Sequence, residues 1–297
     1  MKLIKTIILI IFHPINKKNP LRSLVIFLKW QLISRYSKKK FIFKWVNEIR
    51  FYLQKGDHGM TGNLYCGLME YEDMSFVTHF LRKNDNFFDI GANVGSYTLL
   101  ASGVKKCKTI CFEPIPKAYK KLIENINLNK IHHLVDSRNL GVGNINKKHS
   151  FTNNLNTKNQ VNLDVKNKNT INVDVIKLDG NFNPSVNTLV KIDVEGYEYF
   201  VLKGGFKFFS NPKVIGLIIE QNGSGKFYGH EDSQIYEIIL SYGFKPVKYD
   251  PFTRRLDYLD KYNITSNTIY IKDFDFVQKR CLSSSKICIH TPRNLLI

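Results

Sequence analysis

No stretch of this chain is long and apolar enough to cross a bilayer. The strongest, Leu3 to Phe12, runs behind Lys2 and Lys5 and stops at His13-Pro14, about half of the ~20 apolar residues that a spanning helix needs. No small-x-small cleavage site follows, so the expectation is neither a span nor secretion. Cysteine is sparse too. Cys66, Cys107, Cys111, Cys281 and Cys288 are odd in number, form no C-x-x-C pair and build no cluster with histidine at metal-ligand spacing. The expectation is reduced thiols in a cytoplasmic protein, with Cys111 in the core and no metal site. Acids are the third shortage: 25 Asp and Glu face 44 Lys and Arg, a formal charge of +19. Such a balance implies attraction to nucleic acid, an acidic membrane or an acidic substrate, although a chain rich in Lys, Asn and Ile throughout weakens total charge as a clue. Its distribution says more. The first 55 residues hold thirteen Lys and Arg against Glu48 alone, about two thirds of the excess.

What is present is ample apolar content. With 43% hydrophobic residues over 297, the chain can form one large α/β domain with an appendage, or two small domains. Its most informative stretch is Asn86-Phe-Phe-Asp-Ile-Gly-Ala-Asn-Val-Gly-Ser96. The run Phe87 to Ile90, interrupted by Asp89, leads to Gly91 and Gly95 and then to Tyr97-Thr-Leu-Leu-Ala101, which reads as strand, glycine turn and helix start. Gly91 lets the backbone turn sharply, and Gly95 lets ligand and helix approach without a Cβ in the way. A dinucleotide fingerprint, G-x-G-x-x-G, presents amides to a pyrophosphate. Here the middle glycine is missing and the pattern is Asp89-x-Gly91-x-x-x-Gly95, which disfavours a nicotinamide-dependent oxidoreductase. A carboxylate before the turn suits a cationic ligand such as S-adenosylmethionine. Lys108 to Phe112 reads as the next strand and ends in Glu113-Pro114, where an acid is placed to accept both hydroxyls of a ribose.

Phe88-Asp-Ile-Gly-Ala-Asn-Val-Gly-Ser-Tyr-Thr98, Phe112-Glu-Pro114 and Lys191-Ile-Asp-Val-Glu-Gly-Tyr-Glu198, in that order, resemble the FkbM family of S-adenosylmethionine-dependent methyltransferases. The resemblance covers roughly residues 56 to 272. It implies an α/β fold of class I methyltransferase (Rossmann-like) type: a doubly wound sheet, mostly parallel with an antiparallel last strand, here with a basic helical N-terminal extension. It implies S-adenosylmethionine as cofactor, with Asp89, Gly91, Asn93, Gly95 and Glu113 as binding residues, and a hydroxyl acceptor, often on a sugar, polyketide or glycolipid. In chains of this kind the segment Gly67-Leu-Met-Glu70 precedes the first motif and closes over the cofactor; from the sequence alone, Glu70 is a helix N-terminal acid favoured by the dipole.

The expected organisation is a basic helical extension over residues 1–55, a methyltransferase domain over 56–272 and a C-terminal tail over 273–297. Leu21 to Tyr36 reads as a helix rich in large apolar residues, with Arg22, Lys29 and Tyr36 recurring on one face and Lys38-Lys-Lys40 behind it. Such a helix can lie in a lipid headgroup interface, or pack its apolar side on the catalytic domain. Leu64-Tyr-Cys66 reads as a short strand and Glu70 to Leu81 as a helix. The polar region 144–169, with alternation such as Val161-Asn-Leu-Asp-Val165, reads as an exposed β-hairpin insertion. Val173 to Leu178 and Thr188 to Asp193 read as strands, Glu198 to Phe209 as a helix, and Val214 to Glu220 as a strand buried on both faces. A helix from Ser233 to Tyr242 and strands at Lys245 to Tyr249 and Asn267 to Ile271 complete the alternation.

Asp89, Glu113, Asp193, Glu195 and Glu220 all fall at or just past strand ends, so they converge on one rim of an open parallel sheet. Methyl transfer to a hydroxyl is an in-line displacement that needs alignment and a base, and Asp193 and Glu195 are the catalytic candidates. Asp193 is placed to contact cofactor or a substrate hydroxyl; Glu195 is a base or substrate ligand, or an acid capping the helix that begins near Glu198. His230 and Arg254-Arg255 lie on later loops and suit an anionic or glycan substrate, or the solvent. The primary expectation is an O-methyltransferase with a small-molecule, saccharide or lipid-linked acceptor, cytoplasmic, with peripheral contact to the inner face of the membrane through residues 1–50. The alternative is a basic binding protein with a non-catalytic Rossmann-like domain. Nucleic acid is disfavoured as a partner, because the positive residues concentrate beside a long apolar segment and not in an aromatic-interleaved stripe.

Overall fold

The computed structural model of the protein describes residues 2–37, 39–152, 170–264, 266–292 and 294–297. Helices α1 (Lys2–Phe12) and α2 (Pro20–Tyr36) lead into a hairpin of β1 (Phe41–Lys44) and β2 (Arg50–Leu53), followed by α3 (His58–Cys66) and α4 (Tyr71–Phe80). The glycine-turn segment then supplies β3 (Asn86–Ile90) and α5 (Ser96–Thr98), which runs on as a π turn over Leu99–Val104. After it come β4 (Lys108–Phe112), α6 (Pro116–Leu128), β5 (Val135–Arg138), β6 (Gly141–Val142), β7 (Lys147–Thr152) and β8 (Thr170–Ile176). The second half holds β9 (Thr188–Ile192), α7 (Glu198–Lys203), α8 (Phe206–Ser210), β10 (Val214–Glu220), α9 (Asp232–Ser241), β11 (Lys245–Asp250), β12 (Arg255–Tyr258) and β13 (Asn267–Ile271). The chain closes with α10 (Phe274–Leu282), β14 (Cys288–Ile289) and β15 (Leu295–Leu296).

Eight strands form the main sheet in the order β12-β11-β13-β10-β9-β3-β4-β5. The five from β5 to β10 are parallel. β13 enters antiparallel between β10 and β11, as the resemblance implies, and β12 adds an antiparallel edge. This is the doubly wound sheet of a class I methyltransferase. Successive residues of β10 serve opposite faces: Ile218 joins the apolar cluster that holds Phe87 and Leu189, while Leu217 and Ile219 join the one that holds Phe88 and Val190. A strand covered on both sides must be apolar at every position, which is why Val214 to Glu220 reads as a continuous run.

The structure corrects four local expectations. Leu64-Tyr-Cys66 ends helix α3 and is not a strand; three apolar residues in a row fit either a buried strand or a buried helical turn, and periodicity cannot separate them. The predicted helix Glu198 to Phe209 is two helices broken at Gly204-Gly205, where each glycine costs a helix about 1 kcal/mol relative to alanine. Val173 to Leu178 does form a strand, but β8 belongs to a small sheet of order β6-β8-β7. The hairpin flanks β7 and β8 pair antiparallel, yet their inner side is covered: Phe151, Val173 and Val175 pack with Ile115 and Tyr197. The stretch Val161 to Val165 lies outside the described residues.

The basic extension and the C-terminal tail are both built into the larger core. Ile10, Phe27, Trp30 and Trp45 share one apolar cluster with Val277, Cys281, Ile287 and Ile297. Trp45 donates its indole N–H to the Gly67 carbonyl, and Val46 bridges to Ile289. Cys111 is buried in β4.

Candidate active site

β3 connects outward to β4 on one side while β9 opens the other half of the sheet, so the boundary between β3 and β9 is the topological switch point where an α/β sheet holds its ligand. A cavity of about 260 Å³ opens there. Asp89, Gly91, Asn93 and Glu113 line it from the β3–β4 side, and Asp193 and Glu195 from the turn after β9. Gly95 is not among its lining residues. Glu220 stands just outside, where burial and then the neighbouring Asp193 charge raise its pKa.

Glu113 is aimed by the backbone. Oε2 accepts from the Asn93 amide and Oε1 from the Ile115 amide, each at 2.8 Å, which leaves lone pairs on both oxygens. Burial pushes its pKa up from 4.5 to about 7, with the two amide bonds opposing. Asp89 Oδ2 accepts from the Thr98 amide at 3.0 Å and its hydroxyl at 2.6 Å, fastening α5 to the end of β3. Burial raises the Asp89 pKa against the pull of Lys191. Asn93 adopts φ 50°, a left-handed conformation that asparagine tolerates.

The two glycines are required by protein neighbours. Gly91 has φ +86°, and a Cβ on it would stand 1.8 Å from the Asp193 carbonyl oxygen, because the ends of β3 and β9 meet there. Gly95 has φ +92°, and its Cβ would meet Leu122 Cδ1 of α6 at 2.5 Å. The close approach expected at Gly95 is therefore met by a helix.

Three further side chains complete the site, two of them, Lys191 and Tyr97, without an expected role. Lys191, a lone charge in an apolar strand, is buried and pairs with Asp193, Nζ to Oδ2 2.7 Å, with Nζ 4.7 Å from the Tyr97 ring centroid. Burial by itself lowers its pKa, but the carboxylates of Asp193, Glu70 and Asp89 outweigh it and hold the group above its ordinary value, as an ammonium. Tyr97 donates its hydroxyl to Glu70 Oε2 at 2.5 Å. Glu70 sits at the N-cap of α4 but makes no capping bond; its carboxylate faces the cavity, so the reading of it as a helix-dipole acid is incomplete. Position in an otherwise apolar strand is the signal that could have found Lys191. Nothing in local sequence marks the Tyr97–Glu70 bond, which joins residues 27 apart.

Glu195 has φ 53° and is followed by Gly196 at φ 97°, a conformation uncommon for a long side chain and concentrated at functional sites. Helix α7 has no side-chain cap; Glu198 instead ties together the turn before it, its Oε1 accepting from the Val194 amide at 3.0 Å and the Gly196 amide at 3.3 Å. Burial pushes the Glu198 pKa up to about 8. His230 and Arg254 stay away from the cavity: His230 stacks on Tyr199 at 3.7 Å, and Arg254 donates to the Ser284 carbonyl. Arg255 stands exposed on β12.

The sequence model described as methyltransferase FkbM domain matches residues 89–246, just over half of the chain. The chain belongs to that family. The cofactor of FkbM methyltransferases is S-adenosylmethionine, and the cavity fits that molecule: carboxylates on both sides match a sulfonium, an ammonium and a ribose diol, and would repel a pyrophosphate. A tRNA (guanine(37)-N(1))-methyltransferase of Dictyostelium discoideum is 35% identical over 72 residues, 24% of this chain and 15% of that protein, so this chain spans only a small part of the curated relative. Among solved structures, P. horikoshii TYW2 in complex with MeSAdo is 14% identical over 86% of each chain, with a TM-score of 0.40. M. jannaschii TYW2 in complex with AdoMet is 16% identical over 79% of this chain and 84% of that one, also at 0.40. The fold of this FkbM methyltransferase rests on its own strand order.

Proposed function

We propose that this methyltransferase O-methylates a hydroxyl of a neutral, polyhydroxylated acceptor, a saccharide or a glycolipid. One observation carries the reading. The cavity of a chain with formal charge +19 is lined by Glu70, Asp89, Glu113, Asp193 and Glu195, with Lys191 as its one Lys or Arg among the described residues. A phosphate backbone would need cations around the reacting centre, whereas carboxylates accept hydrogen bonds from hydroxyls. That contrast argues against carrying over the tRNA guanine acceptor named for the curated relative.

The bound cofactor supplies an electrophilic methyl on a cationic sulfur. Glu113 would hold the ribose hydroxyls, Asp89 and the Gly91–Asn93 turn would face the amino-acid part, and Gly95 would act indirectly by letting α6 brace that turn. Asp193 is engaged by Lys191, which fixes its carboxylate in place and suits it to orienting the acceptor. Glu195, which lines the cavity from the same turn, is the base that takes the hydroxyl proton. Tyr97, whose pKa burial and then Glu70 raise well above the ordinary value, stays a hydrogen-bond donor.

The test is to incubate the enzyme with methyl-labelled S-adenosylmethionine and fractionated cell envelopes and RNA. Label should enter glycan or glycolipid as an alkali-stable methyl ether, and mass spectrometry should find that methyl missing in cells lacking the gene. Label confined to RNA would overturn the proposal.

Glu113 also gives a pH prediction. Its folded pKa is raised from 4.5 to about 7, so its contribution to the stability of the cofactor-free fold is fully present below 4.5 and is lost as pH rises through 7. Binding to a diol asks for the opposite, ionised form. Titration calorimetry should show S-adenosylmethionine affinity falling toward about tenfold per pH unit below 7. Glu113→Gln should bind more weakly, with that pH dependence removed and the fold intact. An unchanged pH dependence in the variant would exclude Glu113 as the ribose ligand.

A further inference from the structure

The face of α2 left uncovered by the fold is as apolar as the face it buries. Ser23, Phe27 and Trp30 turn inward, where Phe27 meets Tyr65 and Trp30 meets Phe41 and Phe43. On the opposite side Leu21, Val25, Leu28, Leu32 and Tyr36 follow one helical stripe and stand 48–84% exposed. Helix α1 packs against α2 and adds Ile4, Ile8 and Phe12 at successive turns, 50–69% exposed. Isolated exposed leucines are ordinary; a contiguous row marks a contact surface.

Charge identifies the partner. By helical periodicity Arg22 and Lys29 run along one edge of the stripe and Arg35 along the other, all three exposed. No acid precedes Glu48. A second copy of the chain would bring two surfaces of the same sign together, and a nucleic acid would leave the leucines in water. A bilayer with negative headgroups satisfies both components at once. Among the described residues no helix is long and apolar enough to cross it, so the helix would lie in the interface plane.

We propose that the outer stripe of α2, with α1 beside it, docks this protein on an anionic lipid surface, with the leucines at the acyl boundary and the basic residues among the phosphates. The test is co-sedimentation of the full chain with vesicles of phosphatidylcholine alone and of phosphatidylcholine with phosphatidylglycerol. The protein should pellet with the second and far less with the first. Each basic residue near the surface contributes about fivefold, so Arg22→Gln/Lys29→Gln/Arg35→Gln together should lower partitioning by about two orders of magnitude. Leu28→Asp/Leu32→Asp should abolish it. Both variants alter exposed side chains and should keep the wild-type unfolding temperature and S-adenosylmethionine affinity. A wild type that stays in the supernatant with both vesicles overturns the proposal. So does undiminished binding by the leucine variant, or a dimer in size-exclusion chromatography that the aspartates dissociate, which would assign the stripe to a second copy.

Discussion

Glu195→Gln is expected to lower the turnover number of methyl transfer by about 10² to 10⁴, the contribution of a positioned base to a hydroxyl nucleophile, while S-adenosylmethionine affinity stays at the wild-type value. Gln keeps the length and the left-handed backbone at φ 53° but cannot accept the proton. An effect on turnover without an effect on binding is the signature of an interaction made in the transition state. Asp193→Asn should behave differently. It removes the direct partner of a lysine whose side chain is 3% exposed; breaking a buried pair costs up to about 3–5 kcal/mol, and Glu70 and Asp89 offset only part of that loss, so thermal stability should fall together with activity. If Glu195→Gln turns over normally and Asp193→Asn is folded but inactive, the base is Asp193.

Gly91→Ala is expected to cost the most stability of any single change in the cofactor turn. An L-residue in the left-handed region costs about 1–2 kcal/mol, and Gly91 sits at φ +86°. Its new Cβ would also stand 1.8 Å from the Asp193 carbonyl oxygen, backbone that cannot swing aside without separating β3 from β9. The combined loss should exceed about 4 kcal/mol, a value reserved for such specific clashes, or leave no folded protein. Gly243 is the matched control: it has the same φ of +86° with nothing within 4 Å of its Cβ. Gly243→Ala should therefore show the conformational cost alone, and urea unfolding of both variants separates strain from overlap. Equal losses would mean that the β3–β9 contact has room to relax.

Legibility in the sequence followed the range of the interaction. The runs Asn86 to Ile90, Lys108 to Phe112, Val214 to Glu220 and Asn267 to Ile271 coincide with β3, β4, β10 and β13, because a strand buried on both faces imprints its burial on consecutive residues. The acids at those strand ends were legible for the same reason. Asp89, Glu113, Asp193 and Glu195 lie within a residue or three of strands whose C-terminal ends must share one rim.

Tertiary structure alone decided what those acids face and what supports them. Lys191 beside Asp193, Tyr97 beneath Glu70, and Leu122 against Gly95 are contacts between elements that packing brings together, and local spacing does not encode them. The same holds for the N-terminus. Composition showed a basic helix apolar enough to pack or to dock, and left the two as alternatives; the folded chain buries Phe27 and Trp30 and leaves Leu28 and Leu32 in solvent. Sequence determined the central strands that carry the site, the acidic rim and the family, since backbone pairing and burial act on neighbouring residues. Only the tertiary fold decided which carboxylate is paired, which glycine is filled by a helix, and which face of α2 remains uncovered, since those depend on residues distant in the chain.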